Sequence, residues 1–136
     1  MRVVLDANIF VSALLSRSGA PARLVQLWLE GEYEVVVCEA LIAEIERALA
    51  YPKIRKRIAP EEASGFVRIL RELAESVPDP VDPPPARSPD PADDYLLALA
   101  ARESVPVVSG DAHLLALGDR LPVSSPRQFL EQLERG

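Results

Sequence analysis

The stretch Arg2–Leu5 at the amino terminus narrows the choice of fold more than any other. Val3, Val4 and Leu5 are consecutive and apolar, so a strand built from them presents apolar side chains to both faces of a sheet. Such a strand needs a covering layer on each side, which is the habit of parallel sheets in α/β proteins. Similar runs recur at Tyr33–Val37 and Val105–Val108, with a shorter one at Pro122–Ser124. An acid, Asp6, follows the first run directly, and Asn8 comes two residues later. At the carboxyl end of a strand in an open α/β sheet, an acid stands where ligands bind. It also stands where a helix begins, and Asp and Asn both cap helices well. On this stretch alone both readings stay open.

The segments between the runs carry helical periodicity. Ile9–Leu15 begins a helix. Ala20–Leu29 is a helix with Pro21 in its first turn, Leu24, Val25, Leu27, Trp28 and Leu29 apolar, and Gly31 after its end. Trp28 reads as a core anchor. Glu39–Ala50 places Leu41, Ile42, Ile45 and Leu49 on one face, and Pro52 closes it. Pro60–Ser76 turns Phe66, Val67, Leu70 and Leu73 inward. Ala92–Glu103, a short helix from Asp111 to Leu117, and Pro126–Glu134 capped by Ser125 complete the set. Val77–Pro91 holds seven of the thirteen prolines and is an extended crossover. It does not divide the chain, because the 45 residues after it are too few for a comfortable separate core. Strands alternating with helices predict parallel βαβ units in a layered α/β fold, one domain over residues 1–136.

Composition removes several function classes. The chain is 49% apolar and 26% charged, which describes a globular protein. Cys38 is the single cysteine and His113 the single histidine, so neither a disulfide framework nor a cysteine- or multi-histidine-ligated metal cluster is available. Cys38 reads as a buried, inert thiol. No GxGxxG or GxxxxGK[ST] loop occurs. No run approaches a membrane span and no cleavable leader is visible, so a cytoplasmic protein is expected. The net charge of −6 argues against a nucleic-acid coat protein but not against an enzyme acting on nucleic acid. Lys53–Arg57 is the one basic cluster, a solvated face or a contact to a phosphate backbone.

Four places in the chain carry acids without an obvious structural duty. Asp111 repeats the setting of Asp6: an apolar strand, a short polar turn (Ser109-Gly110), an acid, a helix. Parallel neighbours about 4.8 Å apart would bring two such acids close together, and a divalent cation relieves their repulsion. Asp93 shares a helix face with Leu96, Leu97 and Ala100, an apolar face on which a lone carboxylate is unfavourable without a partner. Its structural alternative is a capping-box role behind Asp90 and Pro91. Asp94 lies about 100° further round and is expected in solvent or at a rim. On Glu39–Ala50, Glu44 and Glu46 flank opposite edges of the apolar stripe, and periodicity does not choose between them.

Taken in order, LDANIFVSALL, the acid in LIAEIERAL, DPADDYLLALA and VVSGDAHLL resemble the motifs of PIN-domain proteins, the family that includes VapC-like toxins and related endoribonucleases. The resemblance spans nearly the whole chain. It implies a three-layer α/β/α sandwich around a central parallel sheet. It implies an acidic quartet, Asp6, Glu44, Asp93 and Asp111, that binds Mg²⁺ or Mn²⁺ and hydrolyses RNA, with Asn8 and Ser109 in support and Asp94 beside the third acid. It further implies a protein antitoxin as partner and a homodimer. His113 departs from the family pattern, where many relatives have another acid, and the proline-rich Val77–Pro91 is not general to it. Oxygen-ligated Mg²⁺ or Mn²⁺ suits phosphodiester hydrolysis, since it can activate water and neutralise the phosphate. In that scheme Asp6 and Asp111 are the principal ligands, Asp93 completes the shell, and Glu44 holds or deprotonates the attacking water. A basic rim of Arg17, Arg23, Lys53, Arg55 and Arg57 is the candidate approach for single-stranded RNA.

Other readings share parts of this pattern. An RNA-processing or decay nuclease outside a toxin system would use the same chemistry. A catalytically silent PIN-fold binding module would keep the fold without a cation response. An aspartyl-nucleophile phosphatase fits worse, because its general acid two residues after the nucleophile would here be Asn8.

Overall fold

The apolar run at the amino terminus becomes the middle of the sheet. The computed structural model describes residues 1–84, 94–118 and 121–135. The elements in chain order are β1 (Arg2–Leu5), α1 (Ala7–Leu15), α2 (Ala20–Leu29), β2 (Glu34–Val37), α3 (Glu39–Leu49), α4 (Pro52–Arg55), α5 (Pro60–Leu73), β3 (Glu75–Ser76), α6 (Asp94–Glu103), β4 (Val107–Val108), α7 (Ala112–Leu115), β5 (Val123–Ser124) and α8 (Pro126–Arg135). Five strands pair in the order β3-β2-β1-β4-β5, and every pairing is parallel. Val3 stands opposite Val35 on one side of β1, and Leu5 opposite Val108 on the other. The strand order reverses direction at β1, so its carboxyl end is the topological switch point of the sheet.

Burial follows the sequence pattern. Val3, Val4, Leu5, Val35, Val36, Val37 and Val108 are fully inaccessible to solvent. Burial of each such side chain contributes roughly 1.5–3 kcal/mol. Helices cover the sheet in the α/β/α arrangement: α6 packs on β1 and β4, while α1 touches α2 and α3, and α2 touches α8. Trp28 is a core anchor, meeting Phe10 edge-on with ring centroids 6.4 Å apart. Tyr33 stacks edge-on against Phe129 at 5.2 Å, and its buried hydroxyl donates to the Leu24 carbonyl at 2.6 Å. Gly31, with φ +85°, follows α2 in the left-handed region that stops helices. Ser125 and Gln128 close a reciprocal capping box on α8, with bonds of 2.8 and 3.1 Å.

The structure moves several element boundaries. The helix expected over Pro60–Ser76 stops at Leu73, and Glu75–Ser76 instead pairs with Val36 and Val37 as an edge strand. Both its residues are exposed, so it has no hydrophobic signature; backbone pairing alone holds it, extended by the Val77 amide on the Val37 carbonyl at 2.9 Å. Pro52 does not merely end α3 but opens the short helix α4. The strand expected from Val105 is confined to Val107–Val108, with Pro106 contributing only its carbonyl, which accepts from the Val4 amide at 3.0 Å. Pro122 does the same for the Val107 amide at 2.9 Å, ahead of β5. The expected helix start at Ala92, with Asp90 and Pro91 ahead of it, lies outside the described residues.

The start of the proline-rich segment has a duty that turn chemistry did not predict. Asp79 Oδ1 accepts the Ala40 amide at 2.9 Å and so caps α3 from 39 residues away. Arg102 of α6 holds the same strap by donating to the Pro78 and Asp79 carbonyls. Removing this cap should lower stability by about 1 kcal/mol, the ordinary value of a helix cap. Asp79→Ala is therefore expected to shift the urea midpoint downward at unchanged slope, whereas Asp79→Asn, which can still accept, should lose less.

Candidate active site

Parallel pairing brings the ends of β1 and β4 together, and with them two of the predicted acids. Asp6 follows β1 and is 3% exposed; Ser109 follows β4 and is fully buried. The Ser109 hydroxyl donates to Asp6 Oδ2 at 2.7 Å. The same hydroxyl oxygen accepts the Asp111 amide at 2.9 Å. Ser109 is therefore the joint between the two strand ends, with its donor and its acceptor both committed. The Asp6 amide bonds to the Val108 carbonyl at 2.9 Å, which locks the register.

The two acids differ in whether their side chains cap a helix. Asp111 is a helix cap: its Oδ1 accepts the His113 amide at 2.8 Å at the start of α7. Its Oδ2 makes no hydrogen bond among the described residues, and its side chain is about one quarter exposed, 27%. Asp6 occupies the cap position of α1 but makes no capping bond with its side chain; its carboxylate is turned to Ser109 instead. Asn8, in the first turn of α1, is exposed, and its backbone amide favours the charged form of Asp6. His113 is exposed, with Nδ1 3.8 Å from Asp111 Oδ1.

Glu44 and Glu46 part company. Glu46 lies 3.7 Å from Arg71 of α5, which also binds Glu39 at 2.7 Å. Glu44 is half-buried on the other flank of α3 and accepts a hydrogen bond from the Tyr95 hydroxyl. Tyr95 was not singled out in the sequence; the available signal was a phenol in the first turn of α6, directly after the acid pair of DPADDYLLALA. Burial first, and then Glu44, raise the Tyr95 pKa well above its ordinary value, with smaller contributions from Cys38 and Asp6. The phenol therefore stays a donor.

Asp93 lies outside the described residues. Asp94, expected in solvent or at a rim, is 9% exposed, which corrects the solvated placement. Residues Pro80–Pro84 line a cleft together with Asp94, Tyr95 and Ala98. Cys38 is buried as expected, and burial pushes its thiol up to about 11. Of the basic rim, Arg57 has a structural partner, donating to the Leu15 carbonyl at 3.0 Å.

Two carboxylates at one sheet edge create an electrostatic debt. Burial raises the Asp6 pKa, and the charge of Asp111 adds to the rise; Ser109 and the Asn8 and Ala7 amides oppose it. No lysine or arginine pairs with Asp6 among the described residues. Hard oxygen donors of this kind fit Mg²⁺ or Mn²⁺. Among the described residues no three acidic, histidine or cysteine side chains gather closely enough to form a complete metal cage.

The raised pKa has a signed consequence. Between the ordinary value of 3.8 and the folded value, the native state binds more protons at Asp6 than the unfolded chain. Stability is therefore lost as pH rises through that window. Asp6→Asn should melt higher than the wild type at pH 7 in EDTA, with the difference vanishing below about pH 4. Melting curves across pH check this; a variant less stable than wild type at pH 7 contradicts it.

Comparison with known proteins agrees with this layout. Uncharacterized protein MJ1680 of Methanocaldococcus jannaschii is 27% identical over 149 aligned residues, covering 99% of this chain and 93% of that protein. Two solved structures share the fold. VapBC2 of Rickettsia felis, bound to a DNA fragment from its promoter, has a TM-score of 0.61 and 14% identity over 92% of this chain and 98% of that one. FitAcB of Neisseria gonorrhoeae has a TM-score of 0.60 and 16% identity, with the same coverage of 92% and 98%. The PIN domain family profile matches residues 2–113, a span running from the first residue of β1 to the turn that carries Asp111. With the motifs, the parallel sheet and that match in agreement, the chain belongs to the PIN domain family.

Proposed function

We propose that this protein is a divalent-metal-dependent endoribonuclease and the toxin of a toxin–antitoxin pair. The observation that carries the reading is the buried Asp6 carboxylate held by Ser109 beside Asp111. Asp111 also caps α7, but the buried Asp6 carboxylate makes no capping bond, and the repulsion between the two acids is relieved by a cation. The PIN domain match supports a nuclease, and the likeness to VapBC2 and FitAcB supports a protein antitoxin as partner. A homodimer and a cytoplasmic location belong to the same proposal. Among the described residues no helix is long and apolar enough to cross a membrane.

In this reading Asp6 and Asp111 hold Mg²⁺ or Mn²⁺, with Asp93 completing the shell. The ion would supply charge neutralisation at the scissile phosphate and a more acidic water. Glu44 would orient an attacking water and accept its proton, and Ser109 fixes the orientation of the Asp6 carboxylate at the sheet edge. Asn8 steadies Asp6 through its backbone amide, and Asp94 shapes the wall next to Tyr95. Lys53 and Arg55 on α4, with Arg17 and Arg23, provide the basic approach for a phosphate backbone.

Incubation with unstructured RNA in Mg²⁺ or Mn²⁺ tests the reading. Cleavage should stop in EDTA. Asp6→Asn should slow it by more than the roughly 10–100-fold that loss of a supporting hydrogen bond causes at a metal site. Full activity in Asp6→Asn contradicts the mechanism. No cleavage, together with no change of melting temperature on adding either cation, points to a binding module instead.

A further inference from the structure

We infer that Tyr95 is a positioning residue that sets Glu44 for the acid site. The inference rests on the metal-dependent reading above and extends it to a residue outside the acidic set. Tyr95 and Glu44 are 51 residues apart in sequence and belong to different helices, α6 and α3. α6 packs on β1 and β4, the strands that end in Asp6 and Ser109; α3 packs on α1 and α5. The Tyr95 hydroxyl bond to Glu44 Oε2 therefore ties the helix packed on β1 and β4 to the helix that bears Glu44.

The two ends of Tyr95 do different work. Its ring packs against the hydrophobic core and is held by burial. Its hydroxyl is thereby fixed in space and can donate in one direction. Glutamate has three rotatable side-chain bonds and would otherwise sample many orientations on the surface of α3. No lysine or arginine pairs with Glu44 among the described residues, so the phenol is the group that selects its rotamer. With Oε2 committed, Oε1 makes no hydrogen bond among the described residues and remains for a cation or its water. Glu46, two residues on, has no such partner on α6 and is drawn to Arg71. The two glutamates of α3 are thus separated by their partners, Tyr95 for Glu44 and Arg71 for Glu46.

Mn²⁺ binding, read by water-proton relaxation, separates this role from packing. Tyr95→Phe keeps the ring and removes only the hydroxyl, and its melting temperature in EDTA reports whether the fold is intact. Tyr95→Phe should weaken Mn²⁺ binding about tenfold and lower the kcat for RNA cleavage with KM unchanged. In a Glu44→Gln background the same substitution should weaken binding no further. Wild-type Mn²⁺ affinity in Tyr95→Phe overturns the inference, and so does an equal loss in both backgrounds. A wild type that binds no Mn²⁺ overturns both this inference and the proposed function. Mn²⁺ binding that depends on Tyr95 through Glu44, without cleavage of RNA, supports the inference and overturns the nuclease reading alone.

Discussion

A strand with parallel neighbours on both sides delivers whatever follows it to the same edge as whatever follows them. β1 holds that position between β2 and β4, and the remaining architecture is arranged around it. Its apolar residues require helices on both faces, and its pairing with β4 through Leu5 and Val108 aligns the two strand ends to the residue. Asp6 and Ser109 are the next residues in each chain direction, so their hydrogen bond is a consequence of register. A shift of one residue would turn Asp6 away from Ser109 and put an apolar side chain at the edge.

The same constraint produces the electrostatics. A carboxylate buried to 3% exposure is unfavourable by itself, and Asp111 nearby makes it more so. Ser109 offsets part of this with one hydrogen bond, and no cationic side chain among the described residues offsets the rest. Structural acids in the same protein behave differently. Asp79 caps α3, Glu39 and Glu46 meet Arg71, and Glu75 and Glu103 both meet Arg2. Asp111 likewise has the His113 amide, but Asp6 differs from all of these in being a buried carboxylate with a second acid nearby and no cationic partner among the described residues.

Which parts were legible in the sequence follows from what each signal depends on. Helix α2 and strand β1 were readable to the residue, because Gly31 and the unbroken apolar run are local signals. Glu75–Ser76 was not, since a two-residue edge strand with both side chains in solvent is specified by its neighbour's backbone. Asp6 and Asp111 could be paired from the repeated strand–turn–acid arrangement, yet only the fold shows that Asp111 is also a true cap and Asp6 is not. Glu44 could not be separated from Glu46 by periodicity; the partners that separate them, Tyr95 and Arg71, come from other helices. Periodicity turns Asp94 about 100° from the apolar face of α6, and helical spacing alone carries no sign of its burial. The third acid of the family motif, Asp93, falls outside the described residues.

The central claim is that the ends of β1 and β4 form one cation site. Crystals soaked in Mn²⁺ and measured for anomalous scattering test it most directly. The account predicts a peak within about 2.2 Å of a carboxylate oxygen of Asp6 and of Asp111. A peak elsewhere on the surface, or none at saturating Mn²⁺, contradicts it.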